Sequence, residues 1–403
     1  MLSSLAMKNF KTYQFILLFT PFVFSFAFGL DIYIPVIPEM TKIFSTSNEM
    51  IQLTLSLFLF ITGIGQLVIG PLSDQFGRKA VLFASAFLFA IGGLGCALSG
   101  DIFWLIAARA VSAFGACGML VTSFAVVRDL FSGEKSAKMF SFLNGATGVS
   151  PTFAPILGGY LFLYWGWTSI FFLLAFMGVI AFILTKYFID ETHVKEFRVK
   201  VDRRVFMRYW QIFTHRQFIK YALIAGLAEG VFFCFFSVSP FIIIDIHGVA
   251  THEFGYYFAL FGFVLSLGGF AGGKIVEKVG VDSTIALGIA FIAMGGISML
   301  LWHYGLGQSL AGFLLPMAVA CMGAMFLIGA SAAAALEPFG HIAGTASAAF
   351  GCVEFGLSAV AGFIIMLFPI TSSVPYGVSI VVIALLIVLL FLVVKAKSAE
   401  KAC

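Results

Sequence analysis

The strongest constraint on this chain is where its basic residues fall along a sequence built mostly of long uncharged runs. Stretches without Asp, Glu, Lys or Arg run 12–30, 50–73, 80–100, 139–185, 283–336 and 355–394. A helix rising 1.5 Å per residue needs about 20 mostly apolar residues to cross a bilayer's hydrocarbon core. The 139–185 run is too long for one crossing and breaks at the YWGW sequence Tyr164–Trp167. The 283–336 run breaks near His303–Gln308, and 355–394 breaks at Pro369–Pro375. Three further spans each carry one buried charge: 102–125 with Arg109, 218–244 with Glu229 and 343–367 with Glu354. The run ending at Gly273 supplies the eighth crossing, and the total is twelve. Composition agrees, since only 10% of residues are charged against about 25% in soluble domains.

Placing both termini in the cytoplasm tests the count. Of 23 Lys and Arg residues, all but Lys42 and Arg109 then fall on the cytoplasmic side. They occupy the terminal segments, the short loops after the second, fourth and eighth crossings, and a basic central segment from Lys186 to Lys220. Glu39, Glu49, Asp101, Asp245 and Glu253 fall in outer loops. Adding or removing one crossing scrambles this positive-inside pattern. The expected fold is an all-α polytopic membrane protein, with twelve transmembrane helices in two pseudo-symmetric six-helix bundles. No small-residue cleavage site precedes DIYIPVIP (Asp31–Pro38), so the first apolar run is read as a permanent helix rather than a removable leader. The net charge of +4 belongs to the loops and implies no nucleic-acid partner. Cys96, Cys117, Cys234, Cys321 and Cys352 lie within spans at no metal-binding spacing, and read as free apolar thiols.

Asp190–Arg216 is the one long polar stretch, and it divides the chain into an N-terminal bundle (1–188), a linker (189–217) and a C-terminal bundle (218–403). A repeat supports the division. GPLSDQFGRK places Gly70, Asp74 and Gly77 after the second crossing; GKIVEKVG places Gly273, Glu277 and Gly280 after the eighth. Duplicated six-helix halves around a cytoplasmic linker describe a transporter with its cavity between repeats. Gly70 is expected to let its helix approach a neighbour, and Gly77 to allow a tight turn. Asp74 is placed to pair with Arg78 or to cap a helix N-terminus. Such a cluster, with Lys79, can latch one conformation and release in another.

GPLSDQFGRK resembles the loop signature of the major facilitator superfamily. Arg109 in RAVSAFGAC resembles the fourth-helix motif of its proton-driven members, with Ser112 where Gln is usual. SPTFAPILGG (Ser150–Gly159), containing Pro155, Gly158 and Gly159, resembles the fifth-helix antiporter motif, with Ala154 in place of its first Gly. DIYIPVIP, VVRDLF (Val126–Phe131, with Arg128 and Asp129), SPF (Ser239–Phe241) and EPFGHIAGTASA (Glu337–Ala348) resemble the bicyclomycin-resistance drug-exporter branch. The resemblance implies gating roles for the loop and fifth-helix residues, Arg128 and Asp129 among them. It also implies a monomer in the bacterial inner membrane.

Charges in the hydrocarbon core are costly and usually mark function. Asp31 and Arg109 both fall in the outer half of the N-terminal bundle, where an ion pair is geometrically reasonable and would lower the burial cost of each. One reading is a permanent structural pair. In the other, Asp31 exchanges a proton or substrate while Arg109 stays charged; the family resemblance favours it. Glu229 and Glu354 fall near the midplane of the C-terminal bundle, which has no basic residue within a span. Each is read as a proton or cation-substrate site, the alternative for Glu354 being a packing acid bonded to backbone or to Ser358. Fifty Phe residues, including FFCFF at 232–236, suggest an aromatic cavity, although lipid-facing bulk explains most of them equally well.

These readings converge on a secondary transporter that exports a small amphipathic compound against inward proton flow. The alternatives are proton-coupled transport of a dedicated metabolite, such as an amino acid or siderophore, and a non-transporting membrane sensor. No GxxxxGK[ST] phosphate loop occurs, so the proton gradient is the expected energy source and no cofactor is expected. The short loops hold no constellation suited to an enzyme.

Overall fold

The computed structural model describes residues 12–193 and 203–399. The cations Lys8, Lys11, Lys195, Arg198, Lys200 and Lys401, assigned above to the cytoplasmic side, lie outside the described residues.

Among the described residues every regular element is helical. The first crossing starts as α1 (Thr12–Asp31), passes through a 3₁₀ turn (Ile34–Val36) and ends as α2 (Ile37–Ile43). The break follows from Pro35 and Pro38, which donate no backbone hydrogen bond and push the preceding residue away from helix. Next come α3 (Asn48–Phe76), α4 (Arg78–Ala97), α5 (Ile102–Leu130), α6 (Gly133–Trp165) and α7 (Thr168–Phe188). The linker contributes α8 (Arg203–Thr214). Beyond it lie α9 (Arg216–Pro240), extended by a π-helical segment (Phe241–Ile246), then α10 (Phe254–Val279), α11 (Val281–Leu306) and α12 (Leu310–Leu336). A 3₁₀ segment (Glu337–Ile342) leads to α13 (Ala343–Ile365), and α14 (Val374–Ala399) is the last helix described.

Among the described residues eleven helical crossings are long and apolar enough to span a bilayer. The twelfth is α6, whose apolar character is diluted by Ser150, Pro151, Thr152, Pro155, Gly158 and Gly159. The dilution is the fifth-helix motif itself. Side-chain caps start several crossings: Ser47 accepts from the Met50 amide on α3, Asp101 from Trp104 on α5 and Ser309 from Gly312 on α12.

The chain divides into two compact units, Met1–Met207 and Arg208–Cys403. In the first, α4 packs on α5 and α7, α3 packs on α5, and α1 lies against α5 and α6. In the second, α9 is the hub, packed on α12, α13 and α14, while α11 lies between α12 and α14. The hub is buried along nearly its whole length, from Phe218 to Pro240. That is why FFCFF is aromatic. Phe235 stacks on Phe258, Phe261 and Phe313, and Phe236 meets Phe258 and Phe261 at centroid distances of 5.1 and 5.3 Å. Phe232, Phe233, Phe235 and Phe236 are all buried. The stretch, open from sequence to either an aromatic cavity or lipid-facing bulk, is packed core of the second unit.

Candidate functional site

Three clusters hold the residues singled out from sequence. The first lies within the membrane part of the first unit. Arg109 on α5 is fully buried; its Nη1 donates to the Gly29 carbonyl at 2.7 Å. Gly29 is in the last turn of α1, where carbonyls lack helical partners, and the proline-induced break leaves this one for the guanidinium. The guanidinium carbon lies 4.4 Å from the Phe58 ring centroid and 5.3 Å from that of Tyr33. A desolvated cation–π contact of this kind contributes about 2 kcal/mol. The Tyr33 hydroxyl is 3.2 Å from Thr54 Oγ1, which ties the ring to α3. Nε and Nη2 of Arg109 have no hydrogen-bond partner among the described residues.

Asp31 does not pair with Arg109. It closes α1, is 3% exposed, and has the Ser150 hydroxyl of α6 beside it without hydrogen-bond geometry. Among the described residues no carboxylate comes within 4.0 Å of the guanidinium. Both residues lie near the end of α1, but the helix end turns the acid toward α6 and offers the base a carbonyl and two rings. On the same helix, a Cβ at Gly158 would collide with the Ile32 carbonyl, so only glycine lets α6 pass the break in the first crossing. Gly159 is buried next to it. Pro155 lies inside the helix one turn earlier.

The second cluster is at the α3–α4 turn. Gly77 ends α3 at φ +98°, a conformation that favours glycine. Arg78, at the first position of α4, has a side chain only 6% exposed. Its Nη1 meets Asp74 Oδ1 at 2.6 Å and Ser73 Oγ at 2.6 Å, and its Nε meets Asp129 Oδ2 on α5 at 2.9 Å. Two residues not anticipated from sequence complete the cluster. Glu191 Oε1 accepts from the Arg78 amide at 2.9 Å and from the His193 amide at 3.0 Å. Thr192 donates to Asp129 Oδ2 at 3.1 Å. The start of the linker is therefore bonded to the turn, and Lys79 adds a bond to the Lys186 carbonyl at 3.3 Å. Asp74 pairs with Arg78 as expected, but the helix start is met by Glu191. Arg128 stands near Arg78, Asp74 and Asp129, exposed and in no ion pair among the described residues. Gly70 does not serve close packing: among the described residues nothing lies within 4 Å of a Cβ built there.

At the repeated turn Gly280 adopts φ +80°. Gly273 has open space where a Cβ would go, and Glu277 is exposed and in no ion pair among the described residues. Asp282, beyond the turn, accepts from the Tyr221 hydroxyl of α9 at 3.3 Å.

The third cluster is in the second unit. Sequence treated Glu229 and Glu354 as separate sites, but α9 and α13 pack along each other, and the two carboxyls are near enough to repel. The contact is close because a Cβ at Gly226 would stand 3.0 Å from the Val353 carbonyl. Cys321 of α12 is also near Glu229. Both acids are partly accessible, with no basic side chain ion-paired to them among the described residues. Ser358 donates to the Phe355 carbonyl at 3.0 Å, so it is not bonded to Glu354 in this structure.

Comparison with known proteins agrees with this architecture. Residues 19–363 match the model of the Major Facilitator Superfamily, and the chain belongs to that family. It is a transporter rather than an enzyme. It is 29% identical to a chloramphenicol resistance protein of Pseudomonas aeruginosa, over 96% of this chain and 91% of that protein. It is also 29% identical to a bicyclomycin resistance protein homolog of Haemophilus influenzae, over 86% and 87% of the two chains. Among solved structures, a peptide transporter in complex with sulfate superposes with a TM-score of 0.74 at 12% identity, covering 96% of this chain and 94% of that one.

Proposed function

We propose that this protein exports small amphipathic compounds of the antibiotic type by alternating access, driven by inward proton flow. The observation that carries the reading is that titratable acids lie within the spans of both units in no ion pair among the described residues: Asp31 in the first, Glu229 with Glu354 in the second. A buried acid is kept at such cost where it exchanges a proton or a cation. Arg109, bonded to the Gly29 carbonyl in the last turn of α1, is a fixed positive charge, since a guanidinium does not titrate in the working range. With two donor nitrogens unpaired, it is free to attract Asp31 or an acceptor group on the substrate when α1 shifts. The two relatives named for drug resistance support the substrate class.

In this reading 1–188 and 218–403 are the rocking halves and 189–217 is the cytoplasmic linker. Both termini lie in the cytoplasm, and the protein works as a monomer in the bacterial cytoplasmic membrane without a cofactor. The α3–α4 turn, Arg128, Pro155, Gly158 and Gly159 serve gating, with Gly273, Glu277 and Gly280 in the repeat.

The test uses proteoliposomes containing a pH-sensitive dye, challenged with chloramphenicol, bicyclomycin, amino acids and siderophores. Substrate-dependent proton flux with the two antibiotics is the expected result. Asp31→Asn is expected to abolish uphill transport while retaining substrate binding at least in part. Flux with amino acids alone would select the dedicated-metabolite reading, and transport without proton movement would remove the coupling role from all three acids.

A further inference from the structure

The linker helix α8 has no part in the transport reading, yet its sequence RRVFMRYWQIFT is strongly two-sided. Twelve residues make a helix of about 18 Å, too short to cross a membrane. Tyr209 and Ile212, three residues apart, face inward and are buried. Phe206 and Trp210, four apart, form an adjoining strip that is 69% and 72% exposed, with Met207 also exposed. Arg208 and Gln211 occupy the opposite, exposed side. Large apolar side chains exposed on the spans face hydrocarbon, but this helix lies outside them.

Its position is fixed by the chain. One residue, His215, separates Thr214 from Arg216, where the next crossing begins. The C-terminal end of the helix therefore stays within a few ångströms of the point where that crossing begins. The segment is also wholly basic: Arg203, Arg204, Arg208, Arg216 and Lys220 occur between 203 and 220, with no Asp or Glu. Arg208 and Arg216 are exposed and in no ion pair among the described residues.

We infer that α8 is a lipid-binding surface, with Phe206 and Trp210 set among the headgroups of the adjoining leaflet and the net positive charge of the 203–220 segment drawing it to anionic lipid. A basic amphipathic helix with aromatic residues along its apolar edge binds in the interface plane by this combination, and juxtamembrane arginines favour an anionic leaflet. A second copy of the chain seated on the strip would bring two sets of arginines together, whereas an anionic bilayer neutralises them. The inference needs only that α8 lies at the surface where α9 begins, so it stands whatever the substrate or the direction of transport.

The experiment places the protein in nanodiscs of phosphatidylcholine, with or without phosphatidylglycerol. In a variant retaining only Trp210 (Trp104, Trp165, Trp167 and Trp302→Phe), emission should be quenched by lipids brominated high on the acyl chain. Aqueous acrylamide should reach it several-fold less well when phosphatidylglycerol is present. On the otherwise unmodified chain, hydrogen exchange of the α8 amides should slow in the anionic discs, and R203Q/R204Q/R208Q should remove that difference. Acrylamide quenching of Trp210 that is free and independent of lipid would overturn the inference. So would brominated-lipid quenching that ignores headgroup charge, or no quenching by either agent, which would mean that protein covers the strip. Because the exchange reading needs no tryptophan substitution, misfolding of the single-Trp variant leaves the inference open to disproof.

Discussion

Gly77 and Gly280 end α3 and α10 with the same left-handed backbone, φ +98° and +80°, and each is followed at once by another helix. What is attached to the two turns differs. After Gly77 comes Arg78, buried against Ser73, Asp74 and Asp129, with its amide capped by Glu191. After Gly280 comes Val281, and the acid that repeats Asp74, Glu277, stands exposed and outside any ion pair among the described residues. The duplicated motif has kept what the backbone requires, a glycine at the helix junction. The charge network depends on one arginine present in only one copy. On this view the first unit carries the latch, and the second repeats only its hinge.

The largest effect should come from Arg78→Ala, which leaves Asp74 and Asp129 without the cation that bonds both of them, Arg128 being near but bonded to neither. Removing one partner of a largely buried charge cluster costs about 3 kcal/mol or more. We expect a clear fall in the thermal midpoint of the purified protein in detergent and a loss of transport of about tenfold or greater. Val281→Ala trims a half-exposed aliphatic side chain and should cost about 0.5 kcal/mol. Matched losses at the two turns would break the comparison, because the network would then add nothing beyond the shared backbone.

The comparison also explains what could be read in advance. Crossing number, the repeat and the depth of each buried charge follow from apolar run length and from loop charge, both local properties of the chain. The Arg78–Asp74 pair was legible because its members are four residues apart at a helix junction. Asp31 and Arg109 were legible as residues but not as a pair. Whether they meet depends on the rotation of α5 and on the break in α1, which frees the Gly29 carbonyl for the arginine. The meeting of Glu229 with Glu354 across α9 and α13 depends on helix packing, to which Gly226, Gly230 and Gly362 are the local clues. Glu191 and Thr192 looked like ordinary linker residues, since their partners lie more than sixty positions away.

Next in size are the neutral substitutions of the acids. Asp129 is 18% exposed and receives both Arg78 and Thr192; Asp74 is 51% exposed. Asp129→Asn should cost about 1–2 kcal/mol as a charge-assisted hydrogen bond is lost. Asp74→Asn should cost below about 1 kcal/mol, because water already screens that pair. Asp74→Asn should leave membrane abundance near normal yet sharply reduce transport, if the latch sets exchange between conformations. Glu277→Gln should change neither quantity. A transport defect in Glu277→Gln equal to that of Asp74→Asn would mean that the second turn is latched in some other state of the protein.

Within the network the smallest expected effect on transport is at Glu191, and it separates the cap from the latch. Its carboxylate accepts from the Arg78 amide at the first position of α4, where helical N–H groups lack partners and the helix dipole favours negative charge. Glu191→Ala should therefore cost about 1 kcal/mol, the usual value of an N-terminal cap, while the Arg78 side-chain bonds to Asp74 and Asp129 persist. Glu191→Gln keeps an accepting oxygen and loses only the charge, so it should recover about half of that. If Glu191 only caps α4, transport in both variants should stay near wild type while the thermal midpoint drops slightly. If it also ties the linker to the latch, Glu191→Ala should slow transport well beyond its stability cost, and Glu191→Gln, with its bond to the His193 amide also restored, should recover most of the rate. Transport and melting measured on the same preparations decide between the two, and an effect of Glu191→Ala as large as that of Arg78→Ala would move the centre of the network from the arginine to the linker.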